Sequence, residues 1–143
     1  MLITEIKKIG LDLTDGDEAY CVFDTDSDFT KNNIIDKARR LALENNIKVI
    51  TSTPSIEIWF LLHYEYTTAS LNNKDLLERL RKFYQHYDKN VDIYQDISNN
   101  VEEAIKRAKK LEKYQVDNDK IIGTVVANPS TEIYKVVENL LSK

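Results

Sequence analysis

The chain has only three glycines, two prolines and one cysteine among its 143 residues. So few glycines and prolines leave few obligatory sharp turns and point to a helix-rich chain. The single cysteine, Cys21, cannot form an internal disulfide, so a reducing compartment, the cytoplasm, is the expected home. No apolar run approaches the roughly 18 residues of a membrane span. The longest, from Ile56 to Leu62, is broken by Glu57 and stops at His63. Residues Met1 to Lys8 lack the basic start, apolar middle and small-residue exit of a secretory signal. No membrane partner is expected.

What is present is an ordinary globular balance, with 42% hydrophobic and 31% charged residues, enough for one domain over residues 1–143. The formal net charge of −4 argues against attraction of the whole surface to nucleic acid. A local basic face stays open, because phosphate binding depends on the field at one surface.

Leu2, Ile3, Ile6 and Ile9 recur at helical spacing before Gly10, and residues 12–18 read as a turn-rich connection. Ala19 to Phe23 is a short apolar run rich in β-formers, the pattern of a buried strand in a parallel sheet. A helix follows from Lys31 to Asn45, with Ile34, Ile35, Ala38, Leu41 and Ala42 inward, and Ile47 to Thr51 makes a second strand. Strand, helix and strand within about thirty residues form a βαβ crossover. Pro54 suits the start of a deeply buried helix from Ser55 to Tyr64. Further helices are expected over Lys74 to Tyr87, Val101 to Tyr114 and Glu132 to Leu141. Ile121 to Ala127 reads as a short strand or a buried loop, and periodicity does not choose between them. The expected fold class is α/β: a Toprim/Rossmann-like short parallel sheet flanked by helices, with a helix-rich C-terminal half.

The chemistry concentrates in Asp24-Thr25-Asp26-Ser27-Asp28. Carboxylates at alternate positions beyond a strand gather at its C-terminal edge, where open α/β sheets bind ligands. Asp24, Asp26 and Asp28 supply hard oxygen donors suited to Mg²⁺ or Mn²⁺, and a divalent cation relieves their mutual repulsion. A solvated helix cap is the plainer reading of the same residues. Glu57 lies in the first turn of the most apolar helix, where a buried carboxylate needs a partner or a metal. It faces the aspartates or stabilises its own helix start, and the sequence leaves both open.

His63 follows the same helix, where a core histidine bonded to a backbone carbonyl is the plainer reading. Its only companion, His86, is too far along the chain for a zinc-ligand spacing. Cys21 reads as core. The basic run from Lys106 to Lys113 is interleaved with Glu102, Glu103 and Glu112, so a solvated face is favoured over a phosphate track.

Three blocks carry a resemblance. Tyr20-Cys21-Val22-Phe23-Asp24-Thr25-Asp26, then Ser52 through Tyr64, and finally Asn128-Pro129-Ser130-Thr131 resemble the RloB-like family. These are Toprim-type proteins associated with restriction and abortive-infection loci. The resemblance implies metal-dependent cleavage of phosphodiesters in defence against phage, with Asp24 and Asp26 as the DxD metal pair. It also places Glu57 and His63 in a catalytic block, and gives Asn128, Ser130 and Thr131 a phosphate-binding turn at a helix start. Nucleic acid, DNA or RNA, is the implied substrate.

One departure stands out. Toprim domains carry a glutamate after an earlier strand, in a block like EGxxTE, and neither Glu5 nor Glu18 matches it. That leaves open an N-terminally truncated chain, a site completed by a partner chain or second copy, or a non-catalytic protein that binds metal or nucleic acid. A sheet without that strand also presents an edge suited to pairing.

Overall fold

Aromatic and β-branched residues make Tyr20–Asp24 into strand β1, and Lys48–Thr53 into strand β2. These strands come from a computed structural model that describes residues 18–25, 29–88 and 90–142. The expected opening helix, and with it Asp26 and Asp28, lie outside the described residues. The two strands are parallel, in register from Tyr20 opposite Lys48 to Asp24 opposite Ser52. Helix α1, Phe29–Glu44, connects them. Asn46 ends it with a positive φ of 58°, a conformation asparagine tolerates, and Ile47 N–H returns to the Ala42 carbonyl at 2.8 Å. Ala42 packs on Ala19 and Ile47, with Cys21 and Val49 completing that small cluster.

The sheet is mixed rather than wholly parallel. Its third strand, β3, is Ser130–Thr131, antiparallel to the end of β2, with Thr131 opposite Ser52 and Ser130 opposite Thr53. The segment Ile121 to Ala127 is a turn-rich loop, so the strand falls where the sequence suggests only a turn. Among the described residues strand β1 ends the sheet order, and Val22 on it is 49% exposed. Leu41, expected inward, is on the exposed side of α1 beside a solvent-facing Leu43.

The main core lies among the later helices. Helix α2, Glu57–Leu61, is shorter than expected and continues as turns to Tyr64. Helix α3 is Asn73–Arg81, started by the Asn72 side chain, which accepts the Asp75 N–H at 2.8 Å. It stops six residues before the expected Tyr87. Helix α4, Tyr94–Ile97, and a 3₁₀ turn, Ser98–Asn100, lead into α5, Val101–Asp117. The last helix, α6, is Ile133–Leu141.

Ala104, Ile105, Ala108 and Leu111 recur every three or four residues along α5 and meet Ile58, Leu61, Leu62 and Leu76. A second cluster joins Leu80, Tyr87, Ile93 and Ile97. The basic side of α5 is answered within the molecule: Lys106 pairs with Glu103, Lys109 with Glu138 and Lys113 with Asp117. Among the described residues no helix is long and apolar enough to cross a membrane.

Candidate functional site

Asp24 closes β1, and its carboxylate reaches across to the neighbouring strand's exit. Oδ1 accepts the Ile56 N–H at 2.9 Å, just ahead of α2. The next residue along the helix is Glu57, which is 1% exposed. The strand ends therefore bring Asp24 and Glu57 to neighbouring positions.

The hydroxyl residues Thr25, Ser52, Thr53 and Thr131 at this end of the sheet are all buried. Thr25 donates its N–H to the Ser52 carbonyl and its hydroxyl to Thr53, each at 2.9 Å. Ser52 and Thr131 share a hydrogen bond of 2.7 Å across β2 and β3.

Glu57 has a partner that sequence reasoning passed over. The Tyr87 hydroxyl donates to Glu57 Oε1 at 3.3 Å. Burial raises the Tyr87 phenol well above its ordinary range, and the charges of Glu57 and, more weakly, Asp24 push it further. It stays protonated and so remains a donor. Nothing local in the sequence marks Tyr87, because its role depends on a residue 30 positions away.

His63 lies at the far end of the same buried segment. Its Nδ1–H donates to the Trp59 carbonyl at 2.8 Å, and its ring meets the Trp59 ring edge-on at 4.8 Å. Burial lowers the imidazole below its ordinary value, outweighing the backbone hydrogen bonds. The ring is neutral and packed into the core more than one helical turn beyond Glu57.

Asn128, Ser130 and Thr131 are buried and engaged by the fold. The Asn128 amide holds the Leu71 backbone from both sides, accepting its N–H at 3.0 Å and donating to its carbonyl at 2.8 Å. Ser130 donates to the Ala127 carbonyl at 2.7 Å, and Thr131 Oγ1 accepts the Ile133 N–H at 3.2 Å in the turn that leads into α6. These side chains fasten β3 and α6 to the rest of the chain.

A second charged group, also unsuspected, gathers on Glu132. Its Oε1 accepts the Thr51 N–H at 3.2 Å, the Thr51 hydroxyl at 2.7 Å and Arg39 Nη2 at 3.3 Å, while Oε2 accepts Lys135 Nζ at 2.9 Å. Burial alone would raise this carboxyl, but the hydrogen bonds from Thr51 and Lys135 and the two cations hold it below the usual range. Gly123, at φ 88°, leaves room for the Arg39 guanidinium, which a side chain there would strike.

Arg39, Glu132 and Lys135 line a cleft of about 650 Å³ with Tyr20, Lys48 and Asn139. Tyr20 and Lys48 begin their strands, so this cleft opens at the opposite end of the sheet from Asp24. Its three cations are offset by Glu132, Glu18 and Glu112, leaving little net field for a ligand.

Among the described residues no three histidines, cysteines or acids gather closely enough to hold a metal ion, and Asp26 and Asp28 lie outside that set. What the described strand ends offer a cation is Asp24 and Glu57, both hard oxygen donors.

The molecule is thus an α/β protein with acidic side chains at the C-terminal edge of a small mixed sheet. It belongs to the RloB-like protein family, whose model matches residues 2–140. No curated protein and no solved structure matches the chain.

Proposed function

We propose that this RloB-like protein is a Toprim-type, metal-dependent phosphodiester-cleaving protein of phage defence, acting on DNA or RNA. The observation that supports it most is the placement of Asp24 at a strand end, against the start of α2 and beside the buried Glu57. In this reading Asp24 and Asp26 hold Mg²⁺ or Mn²⁺, with Asp28 adding a third carboxylate to the set. A bound ion would stabilise charge on the transferring phosphate and lower the pKa of a water. Glu57 assists by adding a second carboxylate charge next to Asp24. His63, turned toward Trp59, fixes the end of that segment, and Asn128, Ser130 and Thr131 hold the sheet edge on which the site is built.

Cleavage of plasmid DNA and of RNA, in Mg²⁺ and in Mn²⁺, tests the proposal. Wild-type protein should cut at least one of them, and Asp24→Ala should lose about 100-fold or more, the scale of one removed electrostatic group at a catalytic site. Undiminished cleavage by Asp24→Ala would remove the assignment.

A second reading is a non-catalytic metal- or nucleic-acid-binding component completed by a partner chain or second copy. It draws on the bond from Ile56 N–H to Asp24 Oδ1, which gives that carboxylate a capping duty of its own. Metal binding without cleavage of either substrate would favour it.

A further inference from the structure

We infer that Tyr87 is a positioning residue of the proposed metal site, holding the Glu57 carboxylate in place through its hydroxyl. The inference rests on the reading above and extends it to a residue outside the three motif blocks.

Glu57 and Phe60 stand three apart on α2 and so share one face of it. Tyr87 covers both. Its ring lies 5.8 Å from that of Phe60, tilted by 59°, and its hydroxyl donates to Glu57 Oε1 at 3.3 Å. The hydroxyl's position is set by packing that does not involve Glu57. Tyr87 is 5% exposed within the cluster of Leu80, Ile93 and Ile97, and its carbonyl accepts Arg81 Nε at 3.1 Å. A donor fixed in this way can fix its acceptor. Glu57 needs that service, because a carboxylate buried on an apolar helix is costly unless hydrogen bonds meet it. Partners of this kind behind metal sites typically change affinity by about 10- to 100-fold when removed.

The test is a double-mutant cycle read by Mn²⁺ calorimetry on wild type, Tyr87→Phe, Glu57→Leu and the double variant. Tyr87→Phe keeps the ring and its packing and removes only the hydroxyl; thermal unfolding confirms that each variant is folded at the titration temperature. Tyr87→Phe is expected to weaken Mn²⁺ binding about tenfold, and to add nothing once Glu57 is leucine, which has no acceptor for the hydroxyl. Wild-type affinity in Tyr87→Phe would overturn the role of Tyr87 and leave the metal site standing. Equal weakening in both backgrounds would also overturn it, since Tyr87 would then act through the fold and not through Glu57. A wild-type protein that binds no Mn²⁺ would overturn the metal site itself, and this inference with it.

Discussion

Glu132 shows how one buried charge is kept in this chain. It accepts from Thr51, Arg39 and Lys135 and is about as buried as the aliphatic core around it. Its folded carboxyl titrates below the ordinary value, so the folded state binds fewer protons than the unfolded chain in that range. The resulting stabilisation is fully present above the unfolded value and fades as pH falls through the folded one. Glu132→Gln should therefore cost about 2 kcal/mol at neutral pH, the scale of hydrogen bonds to a charged group. Urea denaturation should show that gap narrowing as pH is lowered through the carboxylate range. A gap that stays constant with pH would mean that shape, and not charge, is what Glu132 supplies.

At the scale of elements, β3 depends on side chains more than on its own length. Two residues make only a minimal ladder, and the Asn128 clamp on Leu71 just ahead of them anchors the approach. Asn128→Ala would leave the Leu71 N–H and carbonyl without these bonds in a buried setting, at a cost of about 2–3 kcal/mol. A loss of that size in the unfolding free energy from urea denaturation is expected, and a change below about 0.5 kcal/mol would show that the clamp is replaceable.

The same dependence on distant partners explains which elements were legible in the sequence. The unit of β1, α1 and β2 was legible because an apolar run, a helical stretch and a closing Asn-Asn are all local signals. Helices α5 and α6 were legible for the same reason. Strand β3 was not, because Ser130 and Thr131 become a strand only through Ser52 and Thr53. Helix α3 was read too long because Phe83 continues the spacing of Leu76 and Leu80, whereas it turns outward and stacks on Tyr64 at 5.3 Å. Four residues of α4 are too few for a period to register. The burial of Glu57 followed from its apolar neighbours, while its partner Tyr87 and the Glu132 group are long-range facts with no local signature.

Across the whole molecule, the two ends of the sheet differ in kind. The N-terminal end opens on a cleft whose charges are balanced by their own neighbours. The C-terminal end carries Asp24, with Glu57 just beyond it at the start of α2, the buried hydroxyl pairs Thr25–Thr53 and Ser52–Thr131, and Tyr87 donating to Glu57. Two carboxylates brought to one end of a sheet are hard oxygen donors of the kind a divalent ion takes. The most direct measurement is a calorimetric Mn²⁺ titration of wild-type protein beside Asp24→Ala. The account predicts a saturable binding event in the wild type that disappears in the variant. Equal heats in the two proteins would contradict it and leave Asp24 as the cap of the Ile56 N–H.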